Sequence, residues 1–201
     1  MMRHDTVSKE LAEKSLSILE ESRRGLKVCP AEGTMLRDLA DSGLEMVDCY
    51  RSDATDFIIA GELVTAFAAI NYAHSWIGCF VKLGLFEASP GENVFLRLPE
   101  VESDEGCKIT EEKMAKYLDI TTRARKKVNI ACPVRSFDRR LAMNFLDTSE
   151  NFFKTAVDYR RDDDFVRAFA AVNYSHAWLD AGARMGLFDV EEDDVLFTLY
   201  E

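Results

Sequence analysis

The sequence is short of residues that interrupt regular structure. Four prolines and ten glycines in 201 residues exclude a disordered or fibrous chain, and 47% hydrophobic content points to a compact, mostly helical one. Five cysteines, Cys29, Cys49, Cys79, Cys107 and Cys132, are odd in number and include no Cys-x-x-Cys pair. They suit neither a disulfide framework nor a zinc knuckle, and a reducing cytoplasmic setting is expected. The opening residues MMRHDTVSKELAEK have no apolar core, so no secretory signal is expected. There is no Gly-rich phosphate loop, no Ser/His/Asp order signature and no zinc spacing. No catalytic residue, cofactor or metal is expected.

Positive charge is also scarce. Lys and Arg number 25 against 36 acidic residues, a net charge of −11, which repels phosphate backbones and anionic bilayers. Nucleic acid and membrane are therefore not expected partners. One run, Leu63 to Val81, carries no formal charge and approaches the length that spans a bilayer. Its counterpart, Phe165 to Ala183, contains Arg167 and Asp180, which are costly in lipid. Both runs are expected to be buried helices of a soluble protein.

What the chain does contain is an internal repeat. AFAAINYAHSW at Ala66–Trp76 recurs as AFAAVNYSHAW at Ala168–Trp178, an offset of 102 residues. The match runs ungapped from Leu39/Leu141 to Glu87/Asp189. With one-residue gaps it extends up to Cys29-Pro30/Cys132-Pro133 and down to Asn93–Leu98/Asp194–Leu199. The fold class expected is all-α, a tandem duplication of a three-helix unit. The units cover 1–98 and 110–201, with an acidic connection over 99–109.

In each copy the first helix is expected from Ser8 to Lys27 and from Thr110 to Val128. Ser8 and Thr110 serve as N-caps, and Cys-Pro closes the segment. The second carries apolar stripes at Leu36, Leu39, Val47, Tyr50, Ala54 and Phe57, and at Phe137, Leu141, Phe145, Phe152, Ala156 and Tyr159. Gly43 leaves a gap where the second copy has Phe145. The third ends at Gly84 and Gly186, where a left-handed residue is wanted. The apolar tails that follow are expected as short β segments, pairing across the repeat.

The third helix holds most of the functional candidates. One stripe (Leu63, Phe67, Ile70, His74, Ile77, Val81) faces its own unit's core, yet the opposite face carries Tyr72 and Trp76, or Tyr174 and Trp178. Burying such a ring removes about 150–250 Å², worth roughly 4–6 kcal/mol before ordering costs. These four rings are the expected interface, between the copies or across a homodimer. Asn71 with His74, and Asn173 with His176, stand at i, i+3 on one face. Two readings stay open: an oriented ligand-binding histidine, or a core histidine with its polar partner. The structural reading is preferred because His74 lies inside the apolar stripe. Acidic residues at the turn into the third helix (Asp53, Asp56, Glu62; Asp158, Asp162, Asp163, Asp164) are expected as a solvated, helix-capping turn. The basic run Arg123–Arg140 reads as helix-end charge and solvated surface.

The sequence Tyr50-x-x-Asp53-Ala54-x-x-Phe57, then Gly61-Glu62, then AFAA-hydrophobic-NY-x-H-x-W, ending in the second copy as Leu179-Asp180-Ala181-Gly182, resembles a known family. It is similar to the mainly archaeal domain of unknown function 357, and both copies match. The resemblance implies small helical bundles and an archaeal, cytoplasmic setting, and it brings no established activity. Neither copy is complete. The first has Ile77-Gly78-Cys79-Phe80 for Leu-Asp-Ala-Gly, and the second has Thr155 for Asp53 and Asp163 for Gly61. Two equivalent, independent sites are therefore not expected, and Asp53 and Asp180 join the Asn/His pairs as candidate ligand-binding or buried polar residues. The function expected is a non-enzymatic module that self-associates or binds a protein partner. The alternative is a small-ligand or nucleotide-processing bundle using the Asn/His pairs.

Overall fold

A computed structural model describes residues 3–88, 98–101 and 105–199. Six helices account for most of them: α1 (Lys9–Gly25), α2 (Met35–Ile59) and α3 (Leu63–Lys82) in the first unit, then α4 (Glu111–Lys127), α5 (Phe137–Arg161) and α6 (Phe165–Arg184) in the second. The caps follow from the sequence. Ser8 Oγ accepts from Leu11 N and Thr110 Oγ1 from Lys113 N, both at 3.1 Å. Each replaces an orphan end of the helix ladder by a side-chain bond. Both third helices close in the same way. Gly84 (φ +74°) and Gly186 (φ +70°) are left-handed, and Leu85 N and Leu187 N reach back to the carbonyls of Phe80 and Gly182, the 6→1 bond of a Schellman close. Gly84→Ala is therefore expected to cost about 1–2 kcal/mol, read as a melting-temperature drop of a few degrees.

α3 and α6 form the centre. Every residue from Ala66 to Phe80 is buried, and in α6 the run from Phe165 to Ala183 is broken only at exposed Arg167 and half-buried His176. α3 is long and apolar enough to cross a bilayer by length and composition, but it lies within the bundle, with 89% of its apolar window covered by protein. α1 and α2 flank α3, α4 and α5 flank α6, and α3 packs against α6.

Several boundaries differ from the sequence reading. The first helices stop at Gly25 and Lys127, short of Cys-Pro, because two-residue strands intervene. β2 (Lys27–Val28) pairs with β3 (Phe86–Glu87), and β5 (Asn129–Ile130) with β6 (Phe188–Asp189), both antiparallel. These ties lie within each unit, not across the repeat. Of the expected tail strands, residues 93–97 lie outside the described residues, and 194–199 hold a turn, a bend and irregular backbone rather than a strand. The pair that does cross the repeat precedes the first helices: β1 (Thr6–Ser8) runs antiparallel to β4 (Gly106–Lys108), with Thr6 opposite its own equivalent, Lys108. Equivalent residues that face each other across an antiparallel pair are what an approximate two-fold axis requires. Just before β1, His4 bridges to Asp164, and its carbonyl accepts from Phe165 N at 2.8 Å. The start of the first unit thus seats the start of α6.

Leu36 and Phe137, expected in the core stripes, are 58% and 70% exposed. α2 and α5 have 25 residues against 20 in α3 and α6. At 1.5 Å per residue their first turns overhang.

The two cores differ by a reciprocal exchange. A Cβ on Gly43 would lie 2.5 Å from the Phe80 ring, so Phe80 fills the space over Gly43 and stacks on Phe86 at 5.2 Å. At the equivalent positions the second unit has Phe145 and Gly182. Phe145 packs edge-on to Trp178 at 4.7 Å, and Phe188 presses on Gly182 where a side chain would stand. Bulk comes from the third helix in one unit and from the second helix in the other. This accounts for two departures from the repeat: the glycine gap in α2 and, in α3, Phe80 in place of the glycine of Leu-Asp-Ala-Gly.

Candidate functional site

Polar side chains interrupt the apolar interior where α3 and α6 cross, near Ala73 and Ser175. His74 meets Tyr174 on one side of the crossing and Tyr72 meets His176 on the other. Buried polar groups need partners, and the two asparagines find theirs locally. Asn71 Nδ2 donates to Phe67 O and Asn173 Nδ2 to Phe169 O, each at 2.7 Å. The i, i+3 spacing therefore does not make an Asn–His pair, because each amide turns back onto its own helix.

His74 is buried and held from two directions. Its Nδ1 bonds the Tyr174 hydroxyl and its Nε2 lies 3.5 Å from Ser22 Oγ. If Tyr174 donates to Nδ1, Nε2 carries the proton and donates to Ser22. Burial lowers its pKa to about 4 and lifts the Tyr174 phenol well above its ordinary value. The pair stays neutral near pH 7. Beside it, Ser15, Asn71, His74, Leu98 and Tyr174 help line a cavity of about 20 Å³, the size of one water molecule.

The symmetry-related corner is different. Tyr72 does not bond His176; its hydroxyl donates to Asp180 Oδ2. The other oxygen, Oδ1, accepts from Thr198 N at 2.5 Å. Burial raises the Asp180 pKa to about 6, while Thr198 and nearby Arg184 pull it down. Arg184 is itself engaged, with Nε 3.3 Å from Ser42 Oγ and Nη1 3.5 Å from Thr198 O. His176 stacks on Phe197 (6.4 Å, 18°); its Nδ1 is buried without a partner, and burial lowers its pKa to about 4. Tyr50 on α2 lies against Tyr72, ring centres 4.5 Å apart. Tyr50, Tyr72 and His176, together with the segment 194–199, line an open cleft of about 480 Å³.

The structure thus gathers Tyr72, His176 and Asp180 at one corner and places His74 with Tyr174 at the other. Asn71 and Asn173 serve their own helices, and Asp53 is exposed on α2, outside the cleft. Trp76 and Trp178 are each 1% exposed. Trp76 stacks on Phe80 at 5.9 Å, while Trp178 carries the Lys82 ammonium from the other unit 5.3 Å over its ring. Three cleft residues, Tyr50, Phe197 and Thr198, were not candidates from sequence. The available signal was asymmetry. Tyr50 stands where the second copy has Phe152, and Asp180 where the first has Gly78, so polarity accumulates on one side of the two-fold.

Past the C-terminal ends of α3 and α6 an apolar groove of about 490 Å³ is lined by equivalent residues of both units: Leu39 with Leu141, Leu83 with Met185, Leu85 with Leu187. Leu36 and Phe137, 58% and 70% exposed, also line it, and Met35, 88% exposed, precedes Leu36 at the start of α2.

A family model described as "Protein of unknown function (DUF357)" matches residues 14–86 and again residues 116–188. No curated protein and no solved structure shows significant similarity to the chain.

Proposed function

The chain belongs to the DUF357 family, with two copies of its domain in tandem, and on that premise we propose that it is a self-associating helical module whose partner is a second copy of this chain. The observation that carries the reading is the apolar groove. Buried apolar area drives association, and an exposed, contiguous apolar surface marks an interaction site. Met35, Leu36, Val134 and Phe137, between 58% and 88% exposed, together offer on the order of 500 Å², and with the groove walls the surface nears the roughly 800 Å² per partner of a stable interface. Protruding side chains and a recess lie on the same face, so one copy's ridge can fill the other's groove. That is the self-complementarity an isologous dimer needs.

Charge selects the arrangement. Residues 30–43 carry Glu32, Asp38 and Asp41 against Arg37, a net −2. Residues 133–145 carry Arg135, Arg139 and Arg140 against Asp138, a net +2. These rims border the groove from opposite units. A two-fold that sets the first unit of one copy over the second unit of its partner joins opposite charges and offsets the repulsion of two −11 chains.

Sedimentation at micromolar concentration is expected to give a dimer. Met35→Asp with Phe137→Asp should give a monomer with unchanged helicity, since both side chains are exposed. Arg139→Glu with Arg140→Glu should weaken the dimer roughly tenfold or more. A wild-type monomer at a few hundred micromolar, far above the Kd of a specific dimer, overturns the reading.

A further inference from the structure

The cleft on the Asp180 side has chemistry that self-association does not use. Its walls are rings: Tyr50 and Tyr72 at 4.5 Å, Tyr72 and His176 at 6.5 Å, His176 and Phe197 at 6.4 Å. Among the described residues that line it, the only formal charge is the carboxylate of Asp194, and neither Lys nor Arg is one of them. Behind the Tyr72 ring lies Asp180, buried and accepting the Tyr72 hydroxyl. A phenol that donates to a carboxylate carries a more electron-rich ring, and the face of such a ring attracts cations. Apolar Val195 and Leu196 complete one side. The volume of about 480 Å³ suits a small molecule.

We propose that this cleft binds a small organic monocation of the alkylammonium class, its charged head over the Tyr50 and Tyr72 rings near Asp194 and its hydrocarbon chain along Val195 and Leu196. An anion is disfavoured by both carboxylates. Among the described residues the symmetry-related corner lacks the parts of this site. Phe152 replaces Tyr50 and Gly78 replaces Asp180 in the symmetry-related positions, and the Tyr174 hydroxyl is committed to His74.

The test uses the full chain and three probes of one length: n-hexylammonium, n-hexanol and hexanoate, followed by amide chemical shifts. Hexylammonium is expected to shift Leu196 and Thr198 saturably and to bind at least roughly tenfold more tightly than hexanol; hexanoate should not bind. Tyr50→Leu, at a half-buried ring, should weaken hexylammonium roughly tenfold with little change in the urea midpoint, and Asp194→Asn should weaken it less. Equal affinity for hexanol, indifference to Tyr50→Leu, or no saturation by roughly 20 mM would each overturn the assignment. The dimer-breaking pair Met35→Asp and Phe137→Asp, neither of which lines the cleft, should leave hexylammonium binding intact.

Discussion

Gly43→Phe is expected to destabilise the protein by about 3 kcal/mol or more, and Phe80→Gly by a similar amount, yet the two together should recover most of the loss. The single change drives a ring into the space Phe80 occupies, where even a Cβ would stand 2.5 Å from that ring; overpacking of this kind costs about 1–3 kcal/mol and sometimes more. Phe80→Gly alone leaves a cavity worth about 3–5 kcal/mol. The double variant copies the second unit, where Phe145 supplies the bulk and Gly182 admits Phe188; Phe86 would settle over position 80 as Phe188 does over Gly182. Urea unfolding of the four proteins gives the coupling energy, expected to exceed about 2 kcal/mol. Additive losses would mean that the two units are packed on unrelated plans.

Acid should destabilise the protein well before ordinary carboxylates titrate. His74 and His176 fall from 6.5 to about 4 on folding, because burial disfavours their charged forms. Their neutral burial is fully compatible with the fold above pH 6.5. Below that the unfolded chain takes up protons the native state refuses, and stability is lost as pH falls towards 4. Asp180 acts in the opposite sense. Its pKa rises from 3.8 to about 6, so its ionisation opposes folding above pH 6 and that cost is relieved as pH falls. Between pH 7 and pH 5 the histidines together withdraw roughly 4 kcal/mol and Asp180 returns about 1, a net loss of roughly 3 kcal/mol. Unfolding free energies across this range should show it. His74→Gln should make the profile shallower and Asp180→Asn steeper, whereas a flat wild-type profile would contradict the burial of both rings.

Much of the fold is legible in the sequence because the repeat reports it twice. Ser8 and Thr110 mark helix starts by a local bond, and Gly84 and Gly186 mark helix ends by their own backbone geometry. Local signals of that kind survive without knowledge of neighbours. The two-residue strands leave no such trace, since alternation needs more positions than Lys27–Val28 or Phe86–Glu87 offer. The overhang that exposes Leu36 depends on the relative lengths of α2 and α3. The exchange of Gly43 and Phe80 for Phe145 and Gly182 is visible as four isolated departures from the repeat. Only the packing of α2 on α3 shows that they are one event. The site is less legible still. The i, i+3 spacing of Asn71 and His74 suggested a pair, whereas the amide bonds its own helix and the imidazole reaches across to Tyr174. Thr198 holds Asp180 through its backbone N–H and its hydroxyl, a contact between distant residues that no local pattern marks.

Asp180 and Gly78 occupy equivalent places on either side of the α3–α6 crossing. Had this bundle been assembled from two identical chains, every substitution would have appeared on both sides at once. A carboxylate gained beside Tyr72 would have come with a second, buried beside Tyr174 and near His74. Joining the halves in one polypeptide removes that constraint. One face of the crossing can then keep a neutral, fully bonded histidine as a structural anchor while the other accumulates charge and opens to solvent. The tandem arrangement gives each half its own hereditary record, so an inherited symmetry can be broken one residue at a time.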